Sequence, residues 1–173
     1  MKRILLQFAI TFFAISVFAQ QGTTEISTKN SWLKAGVSAG IPIGDLSDYN
    51  NFILGLDLKG QVMETPHFGV GLTTGYNHYF AKDQFEDFGI IPLGLFIRVY
   101  PKSEGFFAGA DVGYSVLTGI ENGEGGYFVK PQIGFHNYSW NFFGYYNGIY
   151  RSADVGGNIN SVGIGATYNI RFK

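Results

Sequence analysis

The sequence contains no cysteine, few charged residues and no large excess of either sign of charge. Charged residues make up 14% of the 173 residues, and twelve basic against thirteen acidic residues leave a net charge of −1. Without cysteine the chain cannot be a disulfide scaffold, and without a basic excess it lacks the footprint of a nucleic-acid-binding protein. A disordered chain would hold fewer apolar residues than the 46% found here. The composition therefore predicts a folded protein with no nucleic-acid partner.

Residues 1–19 have the pattern of a secretory signal peptide. Two basic residues precede an apolar run that ends at Ala19, and polar residues follow it. A basic start, an apolar stretch and a small residue at the end are typical of peptides that are cleaved on export. An uncleaved anchor is the alternative, but the run is short for a span of ~20 residues. We predict cleavage after Ala19 and a flexible periplasmic leader over residues 20–30.

From residue 31 onward, apolar residues alternate with polar or small ones, which is the period of a β-strand. The segments cover residues 33–41, 52–62, 68–76, 91–99, 106–116, 127–136, 140–151 and 161–172. The seventh segment is aromatic in both phases, so its orientation stays open. In the sixth, Pro131 predicts either a lost ladder hydrogen bond or a bulge. The pattern predicts an all-β protein of eight strands.

The connections between these segments alternate between short and long. An antiparallel meander with tight turns at one end and loops at the other would have this alternation, and an even number of strands places both termini at the turn end. The chain is therefore predicted to be an eight-stranded antiparallel up-and-down β-barrel over residues 31–173. The predicted turns are 63–67, 101–105 and 137–139, and the predicted loops are 42–51, 81–88, 118–126 and 152–158.

The polar face of the strands indicates which side of the barrel meets lipid. It consists mainly of Gly, Ser, Thr, Asn and Gln, whereas water-exposed surfaces carry ~25–35% charged residues. Such a face suits the narrow interior of a small barrel, so we predict a transmembrane β-barrel whose apolar face meets lipid. Charges of both signs on the polar face are expected to pair inside, filling the barrel and allowing at most small, rare conductance. The predicted interior network is Asp57, Lys59, Arg98, Asp111, Lys130 and Arg171.

Aromatic residues gather near both ends of the strands, as they do at the two interfaces of a membrane barrel. We predict that these residues form two girdles. The predicted loop-end girdle is Phe52, Phe80, Phe88, Tyr127 and Phe128, and the predicted turn-end girdle is Trp32, Phe68, Phe106, Trp140 and Phe172.

Together these features resemble the small eight-stranded outer-membrane β-barrel family of Gram-negative bacteria, the OmpA/OmpX-like, porin-like "outer membrane protein beta-barrel domain" type. Tyr168, Ile170 and Phe172 are similar to the C-terminal assembly signal of that family, although Lys173 occupies the last position. The resemblance implies a place in the cell outer membrane with both termini in the periplasm. It also implies contact with outer-membrane lipid and lipopolysaccharide, and the barrel assembly machinery as a partner.

The sequence contains no recognisable catalytic, cofactor or metal motif. His67 and His136 are expected to point inward at the turn end, but no cysteine or nearby carboxylate accompanies them, so we predict no metal site and a place in the interior polar network. Acidic residues on the loops could bind divalent cations that bridge lipopolysaccharide, although loop acids more often only interact with solvent. These acids are Asp45, Asp48, Asp83, Glu86, Asp87, Glu121, Glu124 and Asp154.

We therefore predict a non-enzymatic outer-membrane barrel, without cofactor, that has a structural role or binds a protein partner through its loops. The first alternative is a transport or secretion accessory, which would pass small molecules or assist a secretion complex. The second is a soluble periplasmic lipocalin-like binder, whose apolar face would point inward. The sequence identifies neither a ligand nor a partner.

Overall fold

The computed structural model describes most of the chain after residue 31. The predicted signal peptide, the predicted leader and Phe172 lie outside the described residues. The side chains of residues 32, 62–65 and 171 are also not among the described parts of the structure. The described ranges are 32–65, 67–82, 84–102, 104–120, 123–137, 139–152 and 157–171.

Within these ranges the chain forms eight strands. Each strand pairs antiparallel with the next, and the first pairs with the last, so the sheet closes into a barrel. The prediction of an eight-stranded antiparallel up-and-down barrel is confirmed. None of the described helical segments is long and apolar enough to cross a membrane. The strands are β1 Trp32–Ile43, β2 Asn50–Thr65, β3 Phe68–Ala81, β4 Phe88–Val99, β5 Gly105–Thr118, β6 Gly126–His136, β7 Trp140–Tyr150 and β8 Ile159–Arg171.

The connections alternate as predicted, but the first turn and the first loop are shorter than expected. β2 continues to Thr65, because pairing with β3 resumes after a register shift between Gln61 and Met63. The β2–β3 connection is therefore 66–67 rather than 63–67. At the other end β1 extends to Ile43, and a 3-10 turn, Gly44–Asp48, begins at once. Gly44 has a φ of 69°, a conformation that favours glycine.

The distribution of polarity is the reverse of that in a soluble protein. Large apolar side chains cover the outside, with Phe106 77%, Ile133 72% and Ile164 70% exposed. The inside holds charged groups, and Lys59 and Arg98 are each 0% exposed. A lipocalin-like binder would place the apolar face inside, so that alternative is wrong.

The orientation of β7, which the alternation left open, is visible in the structure. Asn141, Phe143, Tyr145 and Asn147 are buried and point into the barrel, whereas aromatic residues between them, such as Phe142, are exposed. The inner phase of this strand therefore combines rings with amide groups. It contributes both apolar and polar contacts to the barrel interior.

Pro131 interrupts the hydrogen-bonded ladder between β6 and β7 without changing its register. On β6, Val129 pairs with Gly148 and Gln132 with Tyr145, so the register with β7 is the same on both sides of the proline. The two residues between them have no partner on β7 in this ladder. Proline has no N–H to donate, and the cost is a gap in the ladder rather than a bulge.

The predicted aromatic girdles form only in part. Phe52 and Phe80 stack at 4.3 Å at the loop end, and Tyr127 is 72% exposed. Phe88 and Phe128 were expected beside them but are 6% and 3% exposed and point inward. Their place in the girdle was wrong, because each falls on the inner phase of its strand. At the turn end Phe106 and Trp140 are exposed, and Phe68 is half-buried.

Candidate functional site

The space inside the barrel, the lumen, holds most of the predicted charge network. Five of its six members are buried there, and two carboxylates face three cations. The sixth member, Arg171, lies on β8, where its backbone pairs with Trp32 of β1. The side chain of Arg171 lies outside the described residues. The buried members are Asp57, Lys59, Arg98, Asp111 and Lys130.

Two ion pairs cross the lumen. Lys130 Nζ donates to Asp57 Oδ1 at 2.9 Å, and Lys59 pairs with Asp111. The first pair joins β2 to β6, which lie opposite one another in a barrel of eight strands. Removing charges from water is costly, and close pairing offsets that cost. The two ion pairs therefore connect β2 to β5 and to β6 across the interior of the barrel.

Arg98 has no such partner. Among the described residues it forms no ion pair; instead its guanidinium donates to Asn141 Oδ1 at 3.2 Å and Gln132 Oε1 at 3.4 Å. Its central carbon lies 4.6 Å from the centre of the Phe107 ring and 5.8 Å from that of Phe143. The aromatic faces attract the cation but carry no net charge.

A polar network continues to the turn end. Lys34 Nζ donates to Asn169 Oδ1 at 2.9 Å, and Asn141 Nδ2 donates to the same oxygen at 2.8 Å. His136 lies inside, with its ring 4.6 Å from that of Tyr100. His67 is half-buried in the turn and donates to the Tyr100 carbonyl at 2.9 Å. In the part of the chain that the structure describes, no group of three or more His, Cys, Asp or Glu residues could hold a metal.

The loop end of the lumen is closed by apolar side chains, which the sequence analysis missed. We call this group the apolar cap. Within it the rings of Tyr79 and Phe88 stack at 4.6 Å. The available signal was a run of apolar residues in both phases at this end, as in Phe52, Ile53 and Leu54. The cap consists of Ile53, Tyr79, Phe88, Ile90, Leu117, Phe128, Ile149 and Ile159.

The first two loops contact each other closely and form what we call the loop platform, residues 44–49, 82 and 84–87. The Lys82 backbone N–H donates to the Tyr49 carbonyl at 2.9 Å, and its side chain donates to the Ser47 carbonyl at 2.8 Å. The rings of Tyr49 and Phe85 meet edge to face at 5.0 Å, and each is about half exposed. The platform therefore presents an aromatic pair to solvent.

Four exposed acidic residues belong to the loop platform, and a fifth, Glu124, lies on the loop between β5 and β6. Asp83, Glu121 and Asp154, which were also predicted as loop acids, lie outside the described residues. The described loop acids, all exposed, are Asp45, Asp48, Glu86, Asp87 and Glu124.

One of these acids, Asp87, anchors the platform to β3. Its Oδ1 accepts the Ala81 backbone N–H at 2.7 Å, and its Oδ2 accepts the His78 ring N–H at 3.0 Å. The Tyr76 hydroxyl in turn lies 3.3 Å from His78 Nδ1. The Ala81 N–H, with a smaller contribution from His78, holds the pKa of Asp87 below its usual value.

This lowered pKa predicts how the anchor responds to acid. The contact is expected to be complete above the ordinary aspartate pKa of ~3.9 and to be lost as the pH falls through the lower pKa of the folded protein. The Ala81 amide proton, followed by NMR in detergent, should titrate with a midpoint below that ordinary value. In Asp87→Asn the side-chain oxygen can still accept, and the pH dependence should disappear. A midpoint at or above the ordinary value would contradict the contact.

Two of the three predicted assembly-signal residues are described. Tyr168 is 43% and Ile170 37% exposed on the outer face of β8. The Tyr168 ring lies 5.0 Å from that of Trp140 on the neighbouring strand. The side chains thus form part of the apolar outer wall, and nothing in this geometry tests their role in assembly.

Taken together, the closed sheet, the apolar exterior and the charged interior define a small barrel of the outer-membrane type. No protein-family model and no curated protein sequence matches the chain. Solved structures match it by fold.

Ail, the attachment invasion locus protein of Yersinia pestis, has a TM-score of 0.55 at 12% identity, with 81% of this chain and 97% of that chain covered. The N-terminal β-barrel domain of Pseudomonas aeruginosa OprF has a TM-score of 0.49 at 15% identity, covering 82% and 98%. A de novo designed transmembrane β-barrel has a TM-score of 0.49 at 13% identity, covering 80% and 95%. The similarity to Ail supports the fold of a small eight-stranded transmembrane β-barrel, and the predicted resemblance is confirmed at that level.

Proposed function

We propose that the chain is a non-enzymatic integral protein of the outer membrane that anchors the loop platform at the cell surface. The main support for this proposal is the distribution of polarity in the barrel, which is apolar outside and charged inside. Its exposed apolar belt would be unstable in water, and in a bilayer the closed sheet leaves no backbone group unpaired at an edge. Lipid and lipopolysaccharide would surround the belt, and the barrel assembly machinery would insert it.

The loop platform supports binding rather than passage of solutes. Contacts between the two loops hold Tyr49 and Phe85 in place, so little conformational entropy would be lost when a protein partner binds. The lumen, by contrast, is filled by the apolar cap and by the ion pairs beneath it. This filling argues against the alternative of a transport barrel. A role as partner in a secretion complex would use the same loop surface.

Cysteine labelling in intact cells tests location and orientation together, because the chain has no cysteine of its own. Asp48→Cys places a thiol on the platform, and Glu104→Cys places one in the turn between β4 and β5. With a maleimide too large for outer-membrane porins, we expect Asp48→Cys to react in intact cells and Glu104→Cys only after permeabilisation.

The matched control is the electrophoretic mobility of each variant from washed outer membranes, with and without boiling. A closed barrel resists detergent until it is heated, so a shift on boiling shows that the variant is folded. Labelling of folded Glu104→Cys in intact cells, with Asp48→Cys protected, would reverse the proposed orientation. Recovery of the protein in the soluble periplasmic fraction would overturn the proposal itself.

A further inference from the structure

Arg98 is a buried cation that belongs to neither of the two ion pairs of the lumen. Asp57 is paired with Lys130, and Asp111 is paired with Lys59. Among the described residues no carboxylate forms an ion pair with Arg98, whose side chain is 0% exposed. A buried charge without an opposite charge is strongly unfavourable. An anion beside Arg98 would remove that cost.

Within the described part of the chain, two hydrogen-bond donors around Arg98 have no acceptor. They are Arg98 Nε and Nε2 of the neighbouring Gln132, and both atoms are buried. The contacts that Arg98 does make are to neutral amide oxygens and aromatic rings. An arginine N–H and an amide N–H can only donate. Two such donors beside an unpaired cation form a site that suits an anion.

We propose that Arg98 and Gln132 bind a small monovalent anion, of the class of chloride, inside the lumen. The single positive charge of Arg98 calls for one negative charge. The rings of Phe96, Phe107 and Phe143 around the guanidinium and the narrow interior of an eight-stranded barrel favour a small ion. A water molecule would accept the same hydrogen bonds but would leave the charge of Arg98 uncompensated. The anion is a structural component of the barrel and needs no open channel.

Crystals of the full chain grown in detergent with sodium bromide provide a test that needs no variant. Bromide replaces chloride in such sites and scatters anomalously. We expect an anomalous peak within ~3.5 Å of Arg98 Nε and Gln132 Nε2. Peaks confined to the outer surface, or density for water alone beside Arg98, would overturn the proposal.

Thermal stability is a second, independent test. The temperature at which the mobility shift occurs is measured in chloride and in isethionate, a much larger monovalent anion, at equal ionic strength. Binding to the folded state should raise the wild-type midpoint by several degrees when chloride exceeds its dissociation constant about 100-fold. An equal midpoint in both salts would contradict the proposal.

Variants at Arg98 and Gln132 test whether the chloride effect arises at this site. Arg98→Met removes the charge and should abolish the difference between the salts, whereas Lys102→Gln, in the exposed turn between β4 and β5, should retain it. Gln132→Leu keeps the charge but removes one donor, and it should reduce the difference even if Arg98→Met does not fold. A full chloride effect in folded Arg98→Met or in Gln132→Leu would place the ion elsewhere and overturn the assignment.

Discussion

Asp111→Ala is expected to lower the free energy of unfolding by about 3–5 kcal/mol, because it leaves Lys59 buried without its counterion. Lys59 is 0% and Asp111 2% exposed, so solvent cannot replace the lost charge. Asp111 also lies directly opposite Lys130 in the ladder of β5 with β6. Its loss therefore removes a negative charge that lies close to the lysines of both ion pairs. Urea unfolding in lipid vesicles, followed by the mobility shift, measures this change.

Two controls distinguish charge pairing from packing. The double variant Lys59→Met/Asp111→Leu removes both charges together, and its stability should be close to that of the wild type. Asp48→Ala, an exposed loop substitution, should change stability by less than about 0.5 kcal/mol. If Asp111→Ala proved as stable as Asp48→Ala, the ion pair between Lys59 and Asp111 would not contribute to stability.

In planar bilayers the wild type is expected to show no large, stable channel, whereas Phe88→Ala/Phe128→Ala should show small, resolvable conductance steps. The two rings belong to the apolar cap, and an apolar constriction excludes water and ions. Removing them admits water to the charged part of the lumen. The steps should remain small, because the side chains beneath the cap still narrow the path.

The open variant should prefer anions. Among the described side chains the lumen has four cations against two carboxylates, and basic linings favour anions. Reversal potentials in a chloride gradient measure the preference. Phe52→Ala/Phe80→Ala removes two stacked rings from the outside of the same end and should stay closed. Large, stable channels in the wild type would show that the cap does not seal the barrel. The cations are Lys34, Lys59, Arg98 and Lys130, and the carboxylates are Asp57 and Asp111.

The fold followed from local features of the chain. Alternation with a period of two residues assigns each side chain to one face of a strand, wherever that strand lies in the molecule. Short and long connections then set the order of the strands. Small polar residues on the inner phase, such as Ser38 and Thr167, indicated which face is enclosed, and both are buried.

The errors arose where local alternation is ambiguous. Phe88 and Phe128 were assigned to a girdle from their position near a strand end, although their phase places them inside. On β7 both phases are aromatic, so nothing in the segment distinguished Phe142 from Phe143. Burial of one and exposure of the other depend on the neighbouring strands.

The sequence by itself determined the number of strands, their order and the inner phase on which charges such as Lys59 and Arg98 lie, because each of these depends on residues that are close along the chain. Only the tertiary structure decided which charges meet. Lys130 reaches Asp57 across 73 residues of sequence, and Arg98 is left among amides and rings. These contacts depend on how the sheet closes and how its strands are staggered, and they connect residues that no local period relates.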